Sequence, residues 1–224
     1  MQETINTARE NKDMACLNFS LSWLYHFHKA HPQDCPEVIA SRMERDSLQF
    51  LKSKAKEGGM HHLHSMAHLS EAKQILLSGE SVPAAFECLI RSSHLNVTKH
   101  IRNAMGSQIL LQSSLWSRLG VGYLATTTCD IFLSKYTPTS PIEDVVKAVC
   151  RRAYICAIRG RFDEALARLD TVSSTSLRSL KVAQYWSAYI GLIKLQRAIY
   201  DDDFSAADLL LQQLLALPQS FRFV

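Results

Sequence analysis

The stretches Trp116-Ser-Arg-Leu119-Gly120-Val-Gly-Tyr123 and Gly160-Arg-Phe162-Asp-Glu-Ala165-Leu166 decide the fold of this 224-residue chain. In the second stretch, Gly160 allows the backbone conformation of a tight turn, and Phe162 is suited to fill the gap between two helices. Ala165 has a side chain small enough for two helix backbones to approach closely. The two stretches therefore predict pairs of helices joined by tight turns, an arrangement that provides binding surface and no reactive cleft.

The first stretch also has the spacing of a known helical repeat. Its tryptophan, leucine-glycine pair and tyrosine match the opening helix of a tetratricopeptide repeat. Counting from this signature places Phe132 at the small position of the same hairpin, so that hairpin packs more openly or the register slips there. The predicted framework of the array consists of the signature and of the turn, aromatic and small positions of the other hairpins: Trp116, Leu119, Gly120, Tyr123, Ala84, Gly160, Phe162, Ala165, Phe204 and Ala207.

Helical periodicity runs through nearly the whole chain, and no strand alternation competes with it. The predicted fold class is all-α, an α-solenoid of about five antiparallel hairpins that resemble loosened tetratricopeptide repeats. Residues 1–12 are expected to end a preceding helix and 218–224 to be a tail at the end of a fragment, because both terminal helices lack a partner for their apolar faces. The breaks in periodicity place the hairpins at 13–56, 60–95, 97–136, 141–173 and 177–217.

The composition limits the classes of function. The chain is 47% hydrophobic and 21% charged, with 25 basic and 21 acidic residues and a formal net charge of +4. This mild charge comes without a block of like charges, so it does not indicate nucleic-acid binding. The chain has no long uninterrupted apolar run and no secretory signal, which predicts an intracellular protein that does not enter a membrane. The six cysteines have no zinc or redox spacing, and we expect them to be reduced.

The histidines at 61, 64 and 68 are the strongest candidates for chemistry. In a helix, His64 and His68 lie one turn apart and could share a metal ion. A metal needs further ligands, however, and no carboxylate stands between these histidines as in a metalloprotease motif. We therefore predict no metal and no cofactor, with the histidines packing on a partly exposed helix, although a metal role for this cluster stays open. No activated nucleophile or phosphate loop is present, so we predict no catalytic residues.

Two groups of side chains could form contacts with a partner. Arg151, Arg159 and Arg161 on the fourth hairpin are candidates for binding an acidic surface or phosphate, with ordinary solvation as the alternative. The aromatic cluster at 185, 186 and 189 could be an interface hot spot, but the surrounding helix is apolar nearly all round. That breadth favours the interpretation that these aromatics fill the core between hairpins.

The segment Asn11-Lys-Asp-Met-Ala-Cys16-Leu-Asn-Phe-Ser-Leu-Ser22-Trp23-Leu24-Tyr25, with Ser114-Leu-Trp116-Ser, resembles the subunit 5 family of the anaphase-promoting complex in its fungal type. The resemblance spans most of the chain. It implies a non-catalytic scaffold in a multisubunit ubiquitin ligase of the cell cycle, found in nucleus and cytoplasm, whose helical repeats hold neighbouring subunits on a platform. The cullin and RING chemistry of such a ligase belongs to other chains, so no catalytic residues carry over.

The predicted partners are other subunits of a large protein complex, with no small-molecule substrate, no nucleic acid and no membrane. The alternative is a regulatory helical-repeat domain of a transcription activator or signalling ATPase, which an adjoining nucleotide-binding domain would reveal. Binding of single-stranded RNA would require base-reading side chains at one recurring repeat position, and the sequence shows none.

Overall fold

The computed structural model describes residues 2–30 and 37–216, and the break predicted around 31–36 and the tail predicted at 218–224 lie outside them. The described residues form helices, turns and bends, with no strand among them. The predicted all-α class of helical-repeat proteins is therefore confirmed. In order, the α-helices of this part of the chain are α1 (Gln2–Glu10), α2 (Met14–Ala30), α3 (Glu37–Glu57), α4 (His61–Ser78), α5 (Val82–Thr98), α6 (Arg102–Arg118), α7 (Gly122–Ile131), α8 (Ile142–Ile158), α9 (Phe162–Asp170), α10 (Leu180–Tyr200) and α11 (Phe204–Leu215).

The chain divides into two compact units, residues 1–108 and 109–224. In the first unit, α1 packs against α2, α2 against α3, α3 against α4, and α4 against α5. In the second unit, α8 packs on both α9 and α10, and α10 packs on α11. The boundary falls inside α6, whereas the predicted hairpin 97–136 contains the whole of this helix.

Among the described residues, seven turns between consecutive helices share one geometry. In each turn, the N–H that follows a residue of positive φ donates to the carbonyl five residues earlier, for example Arg161 to Cys156 at 3.1 Å and Val121 to Trp116 at 2.9 Å. This is the Schellman motif, which ends one helix and redirects the chain so that the next helix starts at once. The residues of positive φ are Lys12, Gly59, Gly79, His100, Gly120, Gly160 and Asp202.

The tryptophan signature does not lie within one helix, which corrects the tetratricopeptide interpretation of that stretch. Trp116 belongs to α6, Gly120 is the turn residue at φ +76°, and Tyr123 belongs to α7. Leu119 and Tyr123 are 45% and 75% exposed, so neither builds the interior, whereas Leu115 is fully buried. The glycine of the signature is thus the residue that makes the turn, and Leu119 and Tyr123 are not interior framework positions.

Small residues lie at the helix contacts that follow these turns. Ala165 and Ala207 each come five residues after a left-handed turn residue, and 0% and 7% of their surface is exposed. The same count reaches Ala125 in α7, which is also fully buried. Phe132 lies further along, in a π-helical turn that continues α7, and packs in the core with Leu110. The small position of the third hairpin is therefore held by alanine and not by Phe132.

The second hairpin differs in register by one residue. Two residues separate Gly79 from the start of α5 at Val82, one more than at the other turns of this kind. As a result, Ala85 is the fully buried alanine, while Ala84, the predicted one, is half-buried. The extra residue turns the helix about its axis, so that the neighbouring position faces the partner helix.

The two aromatic residues at the predicted gap-filling positions, Phe162 and Phe204, have different environments. Phe162 packs against the core formed by α8, α9 and α10, and its ring centroid lies 5.7 Å from that of Tyr200. Phe204, its predicted counterpart on α11, is 66% exposed. Phe204 therefore fills no gap within the described part of the chain.

Each unit has a hydrophobic core of its own. In the first unit, the core joins α2, α3 and α4, and its buried members are Tyr25, Leu48, Leu51, Ala55, Leu63 and Ala67. In the second unit, the main core joins α8, α9 and α10, and its buried members are Val146, Cys150, Ala153, Cys156, Ala157, Ala165, Leu169, Val182, Tyr189 and Ile193.

Candidate functional site

A row of exposed aromatic rings lies on α2 in the first unit. Phe19, Trp23 and Phe27 are 62%, 53% and 43% exposed. Residues four apart lie on the same side of a helix, and the rings of Trp23 and Phe27 are stacked with centroids 5.1 Å apart. We call these three residues the aromatic stripe. Large aromatic side chains that stay exposed together are typical of a protein-binding surface.

The fold does not use the aromatic stripe for its own core. A different side of α2 carries Leu17 and Tyr25, which are 7% and 5% exposed. Tyr25 belongs to the core with α3 and α4. Because α2 already buries one apolar side within its unit, a second apolar side is available for a partner.

The structure does not assemble the three predicted arginines into one anion site. Arg151, expected to face solvent, is half-buried and donates to the carbonyl of Leu110 at 2.6 Å. Arg161 is exposed but forms an ion pair with Glu164 at 2.9 Å. Arg159 is exposed and donates to the hydroxyl of Thr126 at 3.3 Å. Arg151 therefore supports the fold, and Arg159 and Arg161 remain as candidates for contact with a partner.

A buried arginine in the same helix has a role that sequence reasoning missed. Arg152 is only 8% exposed, and its Nε donates to Asp130 at 2.8 Å. Its Nη1 also lies 2.9 Å from the sulfur of Cys156. A signal was present, because Arg152 lies one helical turn before Cys156 on the apolar side of α8. This arginine fastens α8 to α7 and is not available to a partner.

The aromatic cluster on α10 lies inside the second unit. Tyr189 is 6% exposed and belongs to the core, and the hydroxyls of Tyr185 and Tyr189 are 3.2 Å apart. Trp186 donates from its indole nitrogen to the carbonyl of Leu169 at 3.1 Å. Burial raises the pKa values of both tyrosines. These aromatics therefore pack between helices, as their apolar surroundings in the sequence favoured.

The histidine cluster on α4 has a carboxylate and a thiol beside it. His68 is buried, and its ring centroid lies 4.7 Å from that of His64. Glu71, one turn further along α4, and Cys88 on α5 bring their ligand atoms within 4.8 Å of one another and of the His68 imidazole. The sequence pattern did not indicate Glu71, because this carboxylate follows the histidines and does not stand between them as in a metalloprotease motif.

The pKa values in this cluster follow from burial and close contacts. The His68 imidazole and the Lys52 ammonium lower the pKa of Glu71 to about 2. Burial and the Glu71 carboxylate raise the pKa of Cys88 to about 12. Burial, together with His68, lowers the pKa of His64 to about 4. In the absence of a ligand, the cluster therefore holds an ionised carboxylate, a protonated thiol and a neutral His64 near neutral pH.

Two further features bear on the class of function. No helix in the described residues has the length and apolar character needed to cross a membrane. The cysteines within the same residues form no disulfide. They are Cys16, Cys88, Cys129, Cys150 and Cys156. Cys35 lies outside the described part of the chain.

Comparison with known families gives one consistent result. The model of a family described as "Anaphase-promoting complex subunit 5" matches residues 1–31, the segment that contains the aromatic stripe. A fission-yeast protein of that name, from Schizosaccharomyces pombe, is 27% identical over 214 residues, which is 96% of this chain and 29% of the relative. The mouse protein is 24% identical and the human protein 23% identical, each over 228 residues and 97% of this chain.

These matches confirm the resemblance to the subunit 5 family. The similarity extends over nearly the whole chain, although the family model itself covers only 1–31. The chain spans between 28% and 29% of the length of these relatives.

Proposed function

Because this chain is similar along nearly its whole length to subunit 5 of the anaphase-promoting complex, we propose that it acts as a non-catalytic scaffold in that intracellular ubiquitin ligase. In this proposal, tetratricopeptide-like hairpins present surfaces to which neighbouring subunits bind. The observation that carries the proposal is the aromatic stripe, which is exposed and lies within the segment matched by the family model.

The physical support comes from the free energy of burying aromatic surface. Phe and Trp side chains bury large areas on association, and tryptophan is enriched among residues that dominate binding energy. Stacking between Trp23 and Phe27 holds the two rings in one arrangement before a partner arrives. Less conformational entropy is then lost when the partner binds. A protein subunit with a complementary apolar groove is the occupant we propose for the stripe.

The test is to replace Phe19 and Trp23 together with alanine and to co-express the chain with the other subunits of the complex. We expect the double variant to lose its neighbours on affinity purification, because it lacks the exposed rings. The chain itself should stay folded, since surface substitutions of this kind change stability by only about 0.5 kcal/mol.

A matched control is Ile90→Ala on α5, which removes an apolar side chain that is 62% exposed in the same unit. This variant should retain the neighbours. If the Phe19/Trp23 double variant were folded and captured the full set of subunits, the stripe would not be the docking surface and the proposal would lose its main support.

A further inference from the structure

We propose that His68, Glu71 and Cys88 form a zinc-binding site between α4 and α5. All three residues lie in the first unit. The site is independent of the scaffold function proposed above, because it involves none of the residues of the aromatic stripe.

The spacing of the three ligand atoms fits a metal ion. Nδ1 of His68 lies 3.6 Å from Oε2 of Glu71, and Sγ of Cys88 lies 3.1 Å from the same oxygen. Tetrahedral zinc with ordinary bond lengths separates such ligand atoms by roughly 3.4–3.6 Å. The three ligand atoms lie within 4.8 Å of one another. Shifts of these atoms by a few tenths of an ångström to about 1 Å would bring them to the distances of a zinc site.

The buried imidazole supplies a second, independent observation. His68 is 4% exposed, and its Nδ1 has no hydrogen-bond partner. A buried polar atom without a hydrogen-bond partner is destabilising, and such an atom in a folded protein requires an explanation. A bound cation would accept the lone pair of this nitrogen. Without a metal, Glu71 and Cys88 are hydrogen-bonded, whereas Nδ1 has only its 3.6 Å approach to Oε2 of Glu71, which is longer than a hydrogen bond.

The ligand set selects the ion. A thiolate, an imidazole and a carboxylate are the ligands of Zn²⁺, whereas Mg²⁺ and Ca²⁺ require oxygen ligands. The side chain of Glu71 is 31% exposed, so an ion can enter from that side, and a water can take the fourth position. When Zn²⁺ binds, the Cys88 thiol releases its proton to solvent and the sulfur forms a bond to the metal.

Lys52 opposes this binding and therefore provides a sharp test. Its Nζ donates to Oε2 of Glu71 at 2.6 Å, the same oxygen that would face the ion. A positive charge at this distance competes with a metal cation for the carboxylate. Replacing Lys52 by a neutral side chain should therefore strengthen zinc binding, an outcome that a metal-free polar network does not predict.

The experiment is a titration of the reduced chain with Co²⁺, followed by displacement with Zn²⁺. We expect a thiolate-to-Co²⁺ charge-transfer absorption in the wild-type chain, and Zn²⁺ should abolish it. Cys88→Ser should lose this absorption, whereas Cys150→Ser, which alters a buried cysteine in the core of the second unit, should keep it. Mg²⁺ should have no effect.

Affinity measurements on two further variants complete the test. Glu71→Gln should weaken Zn²⁺ binding by about ten-fold or more, because Glu71 is a proposed ligand. Lys52→Met should strengthen Zn²⁺ binding by about ten-fold or more, because the competing positive charge beside Glu71 is removed. Lys54→Met is the control, because Lys54 pairs with Glu57 and not with the cluster.

Several results would overturn the proposal. A wild-type chain without the charge-transfer absorption has no zinc-thiolate site, even if the Cys88 variant fails to fold. Zinc affinity that neither Cys88→Ser nor Glu71→Gln changes would show adventitious binding by surface histidines. Lys52→Met with unchanged or weaker affinity would show that Glu71 is not a ligand.

Discussion

At the scale of single residues, glycine serves the second unit in two different ways. Gly160 has φ +78°, and a Cβ added there would meet no atom within 4 Å, so glycine is favoured by backbone conformation alone. Gly191 is helical, but an added Cβ would lie 2.8 Å from Cδ2 of Leu214. In this position, glycine allows α10 and α11 to approach closely. The two glycines thus act through the turn and through the helix contact, respectively.

Ala165 provides a test of close helix contact at this scale. We predict that Ala165→Trp lowers the free energy of unfolding by roughly 1–3 kcal/mol, because a large ring has no space where alanine is fully buried. Urea unfolding followed by circular dichroism measures the change. Ala167→Trp, at an exposed position of the same helix, is the control and should have little effect. Equal stability of the two variants would contradict the role of Ala165 in the framework.

At the scale of the element, the Asp203 side chain that caps α11 makes the stability of this helix depend on pH. Asp203 accepts hydrogen bonds from the hydroxyl of Ser205 at 2.7 Å and from the N–H of Ala206 at 3.1 Å. These hydrogen bonds lower the pKa of Asp203 below its ordinary value of 3.8. A carboxylate that accepts the N–H groups of the first turn stabilises the helix more strongly while it is ionised, because its charge adds to the hydrogen bonds.

The pH dependence of α11 follows from the sign of this shift. Since the pKa is lower in the folded chain, the stabilisation is fully present above about pH 3.8 and is lost as the pH falls through the folded pKa. We predict that Asp203→Asn keeps the cap but removes this part of the acid sensitivity. Hydrogen exchange of α11 amides across the acidic range measures it. The same acid dependence in both chains would show that another group is responsible.

The α4–α5 pair shows how an element contact can be specified by polar groups. Ser65 lies 2.8 Å from Ser92 and donates to Asn96 at 2.6 Å, and Asn96 donates to Gln108 at 3.0 Å. All four side chains are buried. Because each group needs its partner inside the protein, the chain of hydrogen bonds favours one relative placement of the helices. This placement also sets Cys88 opposite His68 and Glu71.

At the scale of the whole molecule, candidate partner contacts occur in both units. The aromatic stripe lies in the first unit, and Arg159 lies in the second. A partner that contacted both units would make an apolar contact with one and an ionic contact with the other. The two contributions should differ in salt dependence, because only the ionic contact is screened.

Arg159 allows this difference to be measured. If the proposed partner subunits bind this unit, we predict that Arg159→Glu weakens their binding mainly at low salt and mainly through the association rate, because a charge at the rim steers an acidic surface. Surface plasmon resonance at two salt concentrations measures both effects. Arg178→Glu, an exposed arginine elsewhere in the same unit, is the control. Identical effects of the two variants would indicate a general charge effect and no specific contact.

Local signals in the sequence were sufficient for the class of fold. Hydrophobic periodicity identifies the helices, and glycine at 120 and 160 marks two of the turns, because both depend on hydrogen bonds and backbone angles within a few residues. Non-glycine turn residues such as His100 carried no comparable signal. The resemblance to the subunit 5 family also came from sequence alone, and the comparisons confirmed it.

The tertiary structure alone decided which side of each helix faces a neighbour. One extra turn residue moved the buried position from Ala84 to Ala85, and packing drew Arg151 away from solvent to a carbonyl of α6. Only the packing of α5 on α4 brought Cys88 to Glu71. The physical reason is that rotation of a helix about its axis depends on contacts between residues far apart in the chain, which local periodicity does not encode.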